Sequence, residues 1–149
     1  MEPKGLHQLY LDQLRSLYNA ETQQIPLLAE LVQTTTDEEC RVIFGKHLEQ
    51  TNNHVDRLEQ IFAQLGEKPE GQQCVLMKAL VQEVHEIVLR NYGPYASMAA
   101  LIGAFQHIEH HEIAGYGTVR SFARQLNEDE AANTLQHTLN EEAQADRWL

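Results

Sequence analysis

One run constrains this chain more than any other. Met98, Ile102, Phe105, Glu109, Glu112, Tyr116, Val119, Ala123 and Leu126 recur at alternating steps of four and three. Such steps lie along one side of an α-helix and form the seam of a helical bundle. Two consecutive positions of this seam are glutamates. An ionised carboxylate shut in an apolar interior carries a penalty of several kcal/mol, and a like charge beside it adds more. A fold that uses this seam must therefore supply something to offset an acidic pair.

The rest of the chain divides into helices at glycine, proline and capping residues. A first segment runs from Lys4 to Gln33. A second starts at a capping box, Thr36 with Glu39, and ends at Gly66. After the connector 67–71, a shorter segment runs from Gln73 to Asn91. Gly93-Pro94 closes it and opens the fourth, which reaches Leu126. Asn127 with Glu130 caps a fifth that continues to Leu149. The breaks at Thr34–Thr36 and at Asn127 are short, and short breaks make antiparallel neighbours. The short segment carries its own stripe, Cys74, Met77, Val81, Val84 and Val88, suited to packing across the outside of the bundle. The expected fold is all-α, a single domain spanning 1–149: a four-helix bundle with a short extra helix in the long crossover between bundle helices two and three. A chain of 149 residues can bury about two thirds of its unfolded surface, enough for a core.

Charge and composition remove several functions. With 11 basic against 22 acidic residues the net charge is −11, which disfavours nucleic acid and anionic membrane as partners. No apolar run approaches the ~18 residues of a membrane span, and Met1–His7 lacks a signal-peptide core. Cys40 and Cys74 read as free thiols in a reducing cytoplasm. The chain shows no Gly-rich phosphate loop, no Cys/His zinc motif and no Ser-His-Asp set.

The other long segments break their stripes in the same way. The first reads Tyr10, Leu14, Leu17, Glu21, Gln24, Leu28, Leu31. The second reads Phe44, Leu48, Thr51, Val55, Leu58, Phe62, Leu65, with His47, Gln50 and His54 around its polar break. The fifth reads Ala132, Leu135, Leu139, Glu142, Asp146, Leu149. Counted from the hairpin turns, the breaks fall at similar heights, about 13 to 18 residues away, so the four helices would bring them together. Five carboxylates converge in this reading: Glu21, Glu109, Glu112, Glu142 and Asp146. Raised pKa values, buried cationic side chains or bound cations could offset them. No Arg or Lys falls on a stripe, so two divalent metal ions are the expected answer. Oxygen-rich ligation with a histidine, here His54, suits iron, with manganese or zinc as alternatives. Dinuclear carboxylate bundles draw ligands from all four helices in this manner.

Tyr18-Asn19-Ala20-Glu21, His47-Leu48-Glu49-Gln50-Thr51 and the run Ile108-Glu109-His110-His111-Glu112-Ile113-Ala114-Gly115-Tyr116-Gly117-Thr118 resemble the YciF/YciE-type bacterial stress proteins, and the resemblance covers nearly the whole chain. It implies a ferritin-like fold related to the bundle domain of rubrerythrins, a dinuclear metal site, a cytoplasmic stress setting and a homodimer. By position, Glu21, Glu109, Glu112 and Glu142 match ferritin-like ligand glutamates. The chain departs from the pattern in two places. Thr51-x-x-His54 stands in place of Glu-x-x-His, with Gln50 where relatives often carry Glu. Ala145 stands where a His would follow Glu142, leaving Asp146 to substitute.

Around these ligands, Tyr18, Gln50, Thr51, His110 and Tyr116 are expected to support the site. His110 would face the crossover helix at Glu83 or Glu86, while His107, His111 and Glu49 face solvent. Pro26 is expected to kink the first helix. The function these residues suggest is metal-centred reaction with dioxygen or peroxide, serving oxidative-stress defence or iron handling. The alternative is a non-enzymatic stress or interaction protein whose core carboxylates bind a structural ion or none.

Overall fold

The structure, a computed structural model, describes residues 3–149. They form five helices, α1 (Pro3–Thr34), α2 (Glu38–Leu65), α3 (Val75–Arg90), α4 (Pro94–Gln125) and α5 (Asp129–Trp148), with no strand among the described residues. The helix ends show why the boundaries fall where they do. Asp37, not Thr36, caps α2: its backbone is extended and its carboxylate accepts the Cys40 N–H at 2.9 Å. An ionised acceptor at a helix N-terminus is favoured by the helix dipole as well as by the hydrogen bond. Cys74 caps α3, its Sγ accepting the Met77 N–H at 3.4 Å. Asn127 does not open α5. It sits in the left-handed region (φ 61°) and closes α4. The Glu128 N–H bonds to Ala123 O at 2.8 Å and the Asn127 N–H to Arg124 O at 3.1 Å, satisfying carbonyls the helix end would leave open. Gly66 (φ 67°) ends α2 in the same fashion. Helix α1 continues through Pro26, which is exposed.

Helices α1 and α2 pack as one hairpin and α4 and α5 as the other; α1 meets α4, and α2 meets α5. Helix α3 lies on α1 and α4, burying Met77 and Val84. The chain is thus a helical bundle with the short helix laid across one side.

The core is split in two. One apolar cluster gathers Tyr10, Leu14, Leu58, Phe62, Val119 and Leu135. The other gathers Leu28, Phe44, Met77, Phe105 and Ile108. On every bundle helix a buried polar residue falls in the stretch between these clusters, so apolar packing closes the polar layer above and below. No helix among the described residues is long and apolar enough to cross a membrane.

Leu17 of α1 presses against α4 at Gly115, where an added Cβ would lie 2.7 Å from Leu17 Cδ2, whereas a Cβ on Gly117 would meet nothing within 4 Å. Glycine in a helix interior costs roughly 0.5–1 kcal/mol against alanine. Gly117→Ala should therefore raise the thermal midpoint. Gly115→Ala should fall short of that gain, because the buried Leu17 must move. Parallel thermal unfolding of the two variants checks this.

Candidate metal centre

Among the described residues, nine polar ones are buried in the bundle: Glu21 and Gln24 from α1, His47, Thr51 and His54 from α2, Glu109 and Glu112 from α4, and Thr138 and Glu142 from α5. Glu21 and Glu109 are wholly inaccessible (0%). Two groups of three draw together within this set. Glu21, His54 and Glu142 offer ligand atoms that all lie within 4.8 Å of one another, and Glu109, Glu112 and Glu142 do the same. Glu142 belongs to both, so the two groups adjoin through one carboxylate.

The contacts show what holds each group and what is missing. The Tyr116 hydroxyl donates to Glu21 Oε1 at 2.6 Å. The Gln24 amide donates to Glu112 Oε1. His54 Nδ1 lies 2.8 Å from Glu142 Oε1 and 3.2 Å from Glu21 Oε1, yet it is aligned for a hydrogen bond with neither. Both oxygens of Glu109, Oε2 of Glu21 and Nε2 of His47 have no hydrogen-bond partner among the described residues. Buried polar atoms are nearly always partnered. A cluster of orphaned oxygen and nitrogen atoms that converge on shared points is the arrangement a cation completes.

Electrostatics lead the same way. Burial, then the neighbouring Glu142 carboxylate, pushes the Glu109 and Glu112 carboxyls well above the usual range. Burial opposes a charge on His54, but Glu21 and Glu142 outweigh it and raise the imidazole to about 11. Burial would raise Glu142 too, yet the neighbouring Glu109 carboxyl and the contact with His54 hold it at about 2. Without a cation, the layer therefore keeps protons on Glu109, Glu112 and His54. Burial lowers His47, which stays neutral beside Glu109, its Nδ1 3.2 Å from Glu109 Oε1.

The structure gathers Glu21, His54, Glu109, Glu112 and Glu142 into the two triads, and Asp146 into neither. On α5 the inward positions are Leu135, Thr138, Glu142 and Ala145, a three-residue step after Glu142. Asp146 is turned a further 100° around the helix and stands 24% exposed, 3.2 Å from His110 Nε2. Four carboxylates make up the two triads, and Asp146 stands beside them, near enough for its charge to raise Glu109. His110 itself is 68% exposed and faces Asp146; His107 is the residue that approaches Glu83, at 3.7 Å. His111 is not solvent-facing but half-buried, its Nε2 3.5 Å from Cys74 Sγ. Tyr18 donates to the exposed Glu59 at 3.0 Å and takes no part in the layer's hydrogen bonds. Thr51 is buried in the layer, Gln50 is half-buried beside it, and Glu49 is exposed.

Helix α2 turns its face by about one residue relative to the apolar reading: His47 and His54 are buried where Leu48 and Val55 were expected. Four contributors have no role in the site by the sequence reading, although it sets His47 and Gln24 at the polar breaks. His47 and Gln24 lie on regular three-four steps and were visible in principle. Arg57 and Glu141 lie off every stripe, and only the packing of α2 on α5 brings them together, Nη2 to Oε1 at 2.7 Å.

Three comparisons bear on this chain. Residues 5–149 match the family described as Domain of unknown function (DUF892). The chain is 35% identical to Protein YciF of Escherichia coli (strain K12) over 147 residues, covering 98% of this chain and 89% of that protein. The crystal structure of the E. coli stress protein YciF superposes with a TM-score of 0.90 at 34% identity, over 95% of this chain and 89% of that one. YcfI of Rhodopseudomonas palustris, described as a proposed structural protein, superposes with a TM-score of 0.90 at 33% identity, over 95% of this chain and 90% of that one.

The proton-holding layer fixes a pH response. Glu109, Glu112 and His54 all have folded pKa values above their unfolded ones. Above about pH 6.5 the folded chain keeps protons that the unfolded chain has released, so stability falls as pH rises. Chelator-treated protein should show a falling thermal midpoint between about pH 6 and pH 9. Saturation with a divalent ion should remove that slope, because the ion displaces those protons. Unfolding scans at several pH values, with and without chelator, check both.

Proposed function

We propose, for a chain that belongs to the family described as Domain of unknown function (DUF892), that it is a ferritin-like dinuclear metal protein. One observation carries the reading: two buried triads of ligand atoms that share Glu142. In this assignment Glu21, His54 and Glu142 hold one ion, and Glu109, Glu112 and Glu142 the other. A donor set of carboxylates with one imidazole suits iron first, then manganese or zinc. Two divalent cations offset the four converging carboxylates, and they complete the orphaned oxygens of Glu21 and Glu109. When bound, the metal pair supplies two-electron redox chemistry toward dioxygen or peroxide.

The residues around the layer suit that role. Tyr116 and Gln24 orient Glu21 and Glu112 by single hydrogen bonds. The two apolar clusters exclude bulk water above and below the layer. The service is oxidative-stress defence or iron handling, in keeping with the similarity to the stress protein YciF. In this reading the protein acts as a cytoplasmic homodimer on small oxidants. A net charge of −11 fits a protein without nucleic-acid or anionic-membrane partners.

A second reading is favoured by one feature. The layer meets part of its charge internally, through His54 at 2.8 Å from Glu142 and through the carboxyl of Glu109. A non-enzymatic stress or interaction protein, with a structural ion or none, needs no more than that.

Elemental analysis after anaerobic ferrous loading separates the two. The first reading expects about two irons per chain, oxidised rapidly when dioxygen or peroxide is admitted. Glu142→Ala should lose both ions because it serves both triads, while Glu49→Ala, on the exposed face, should load like the native chain. Absence of stoichiometric metal, with thermal stability unchanged in Glu112→Ala, would establish the second.

A further inference from the structure

Consecutive glutamates of α5 grip opposite nitrogens of one ring. Glu142 Oε1 lies 2.8 Å from His54 Nδ1, and Glu141 Oε2 lies 3.1 Å from His54 Nε2. Glu141 is not a loose surface side chain. Arg57 Nη2 donates to its Oε1 at 2.7 Å, and His137 Nε2 stands 3.3 Å from the same oxygen. The other arm of Arg57 donates to Thr138 Oγ1 at 3.1 Å, which ties the guanidinium to α5 as well. Tyr116 packs edge-on to the His54 ring, centroids 6.1 Å apart, and limits its rotation.

An anchored carboxylate at Nε2 is a hydrogen-bond acceptor only, so it selects the tautomer with the proton on Nε2. Once a cation displaces the second proton of the imidazolium, that choice leaves a lone pair on Nδ1, facing the oxygens of Glu21 and Glu142. Three electron-rich atoms then point at one another with no aligned hydrogen bond, which is unfavourable unless a cation sits among them. The two triads differ in this respect. One contains a nitrogen donor held by an outer carboxylate, whereas the other is built from oxygens alone.

Resting on the dinuclear reading above, we infer that Glu141 is a positioning residue: it fixes His54 with Nδ1 toward the Glu21–Glu142 pair and so makes that triad the first of the two to take up a borderline divalent ion such as zinc. Arg57 acts by pinning Glu141, and neither residue touches the ion.

The test is a zinc titration of the full chain after chelator treatment, against a competing chromophoric chelator. Zinc is redox-silent, so the readout does not depend on activity. Native protein should show a tighter and a weaker step. Removal of an outer hydrogen-bond partner typically costs 10–100-fold in metal affinity, so Glu141→Ala should weaken the tighter step by about that factor and leave the weaker one in place. Glu141→Gln keeps an oxygen acceptor for Nε2 and should recover part of the loss. Nitrogen-15 NMR of zinc-loaded native protein gives an independent readout that needs no variant to fold: the His54 proton should reside on Nε2 and the metal-bound shift on Nδ1. An Nδ1-protonated His54, equal first steps in native and Glu141→Ala protein, or equal weakening of both steps would overturn the inference while leaving a two-ion protein standing. No zinc uptake by native protein would overturn the dinuclear reading and this inference together.

Discussion

Burial of carboxylates between two apolar clusters governs this structure. Glu21, Glu109, Glu112 and Glu142 are all at or below 3% exposure, and each is a group water would solvate strongly. Their shared environment converts an ordinary bundle into one with a demand for positive charge. In the absence of a cation the demand is met by protons: burial raises Glu109 and Glu112, and the surrounding carboxylates raise His54. Protons meet it incompletely, since several buried oxygens keep no partner among the described residues. The clusters above and below make this layer possible, because they stabilise the bundle without depending on it.

The layer is also asymmetric. On one side an imidazole stands between Glu21 and Glu142 and is held from behind by Glu141 and Arg57. On the other side Glu109 and Glu112 face Glu142 with oxygens only, and the buried His47 approaches Glu109 from the edge. Harder and softer donors are thus segregated within a single layer. That segregation is a natural basis for unequal ion preferences in a dinuclear site. The carboxylate common to both sides couples them, so a change at Glu142 is felt in each.

Much of this was legible from residue spacing. The seam of α4 is nearly unambiguous, because its three-four steps run without a slip and both glutamates sit on it; the structure buries both. Glu21 and Glu142 follow from the same counting. On α2 the apolar stripe lies about one residue out of phase with the buried face. Phe44, Leu48, Thr51, Val55, Leu58 form a regular stripe, but so do Phe44, His47, Thr51, His54, Leu58. Hydropathy prefers the first. The structure buries His47 and His54 instead, since acidic groups from the other helices reward imidazole at that height. On α5 the buried position after Glu142 is Ala145, one step before Asp146, which places that carboxylate at the edge of the layer. Tyr18 and His110 were assigned to the layer by proximity in sequence, yet helix rotation turns them to Glu59 and Asp146.

The sequence by itself determined the helical class, the two hairpins, the crossover helix and the presence of core carboxylates at matched heights, because all of these are one-dimensional properties of spacing and capping. Only the tertiary structure decided which face of α2 turns inward, that Glu142 is common to two triads, and that Glu141 and Arg57 stand behind His54. Those outcomes depend on the rotation of each helix about its axis, and rotation is set by partners on other helices. A stripe fixes that angle to within about one residue, or 100°. For a metal site, that margin separates an inward carboxylate from one at the edge of solvent.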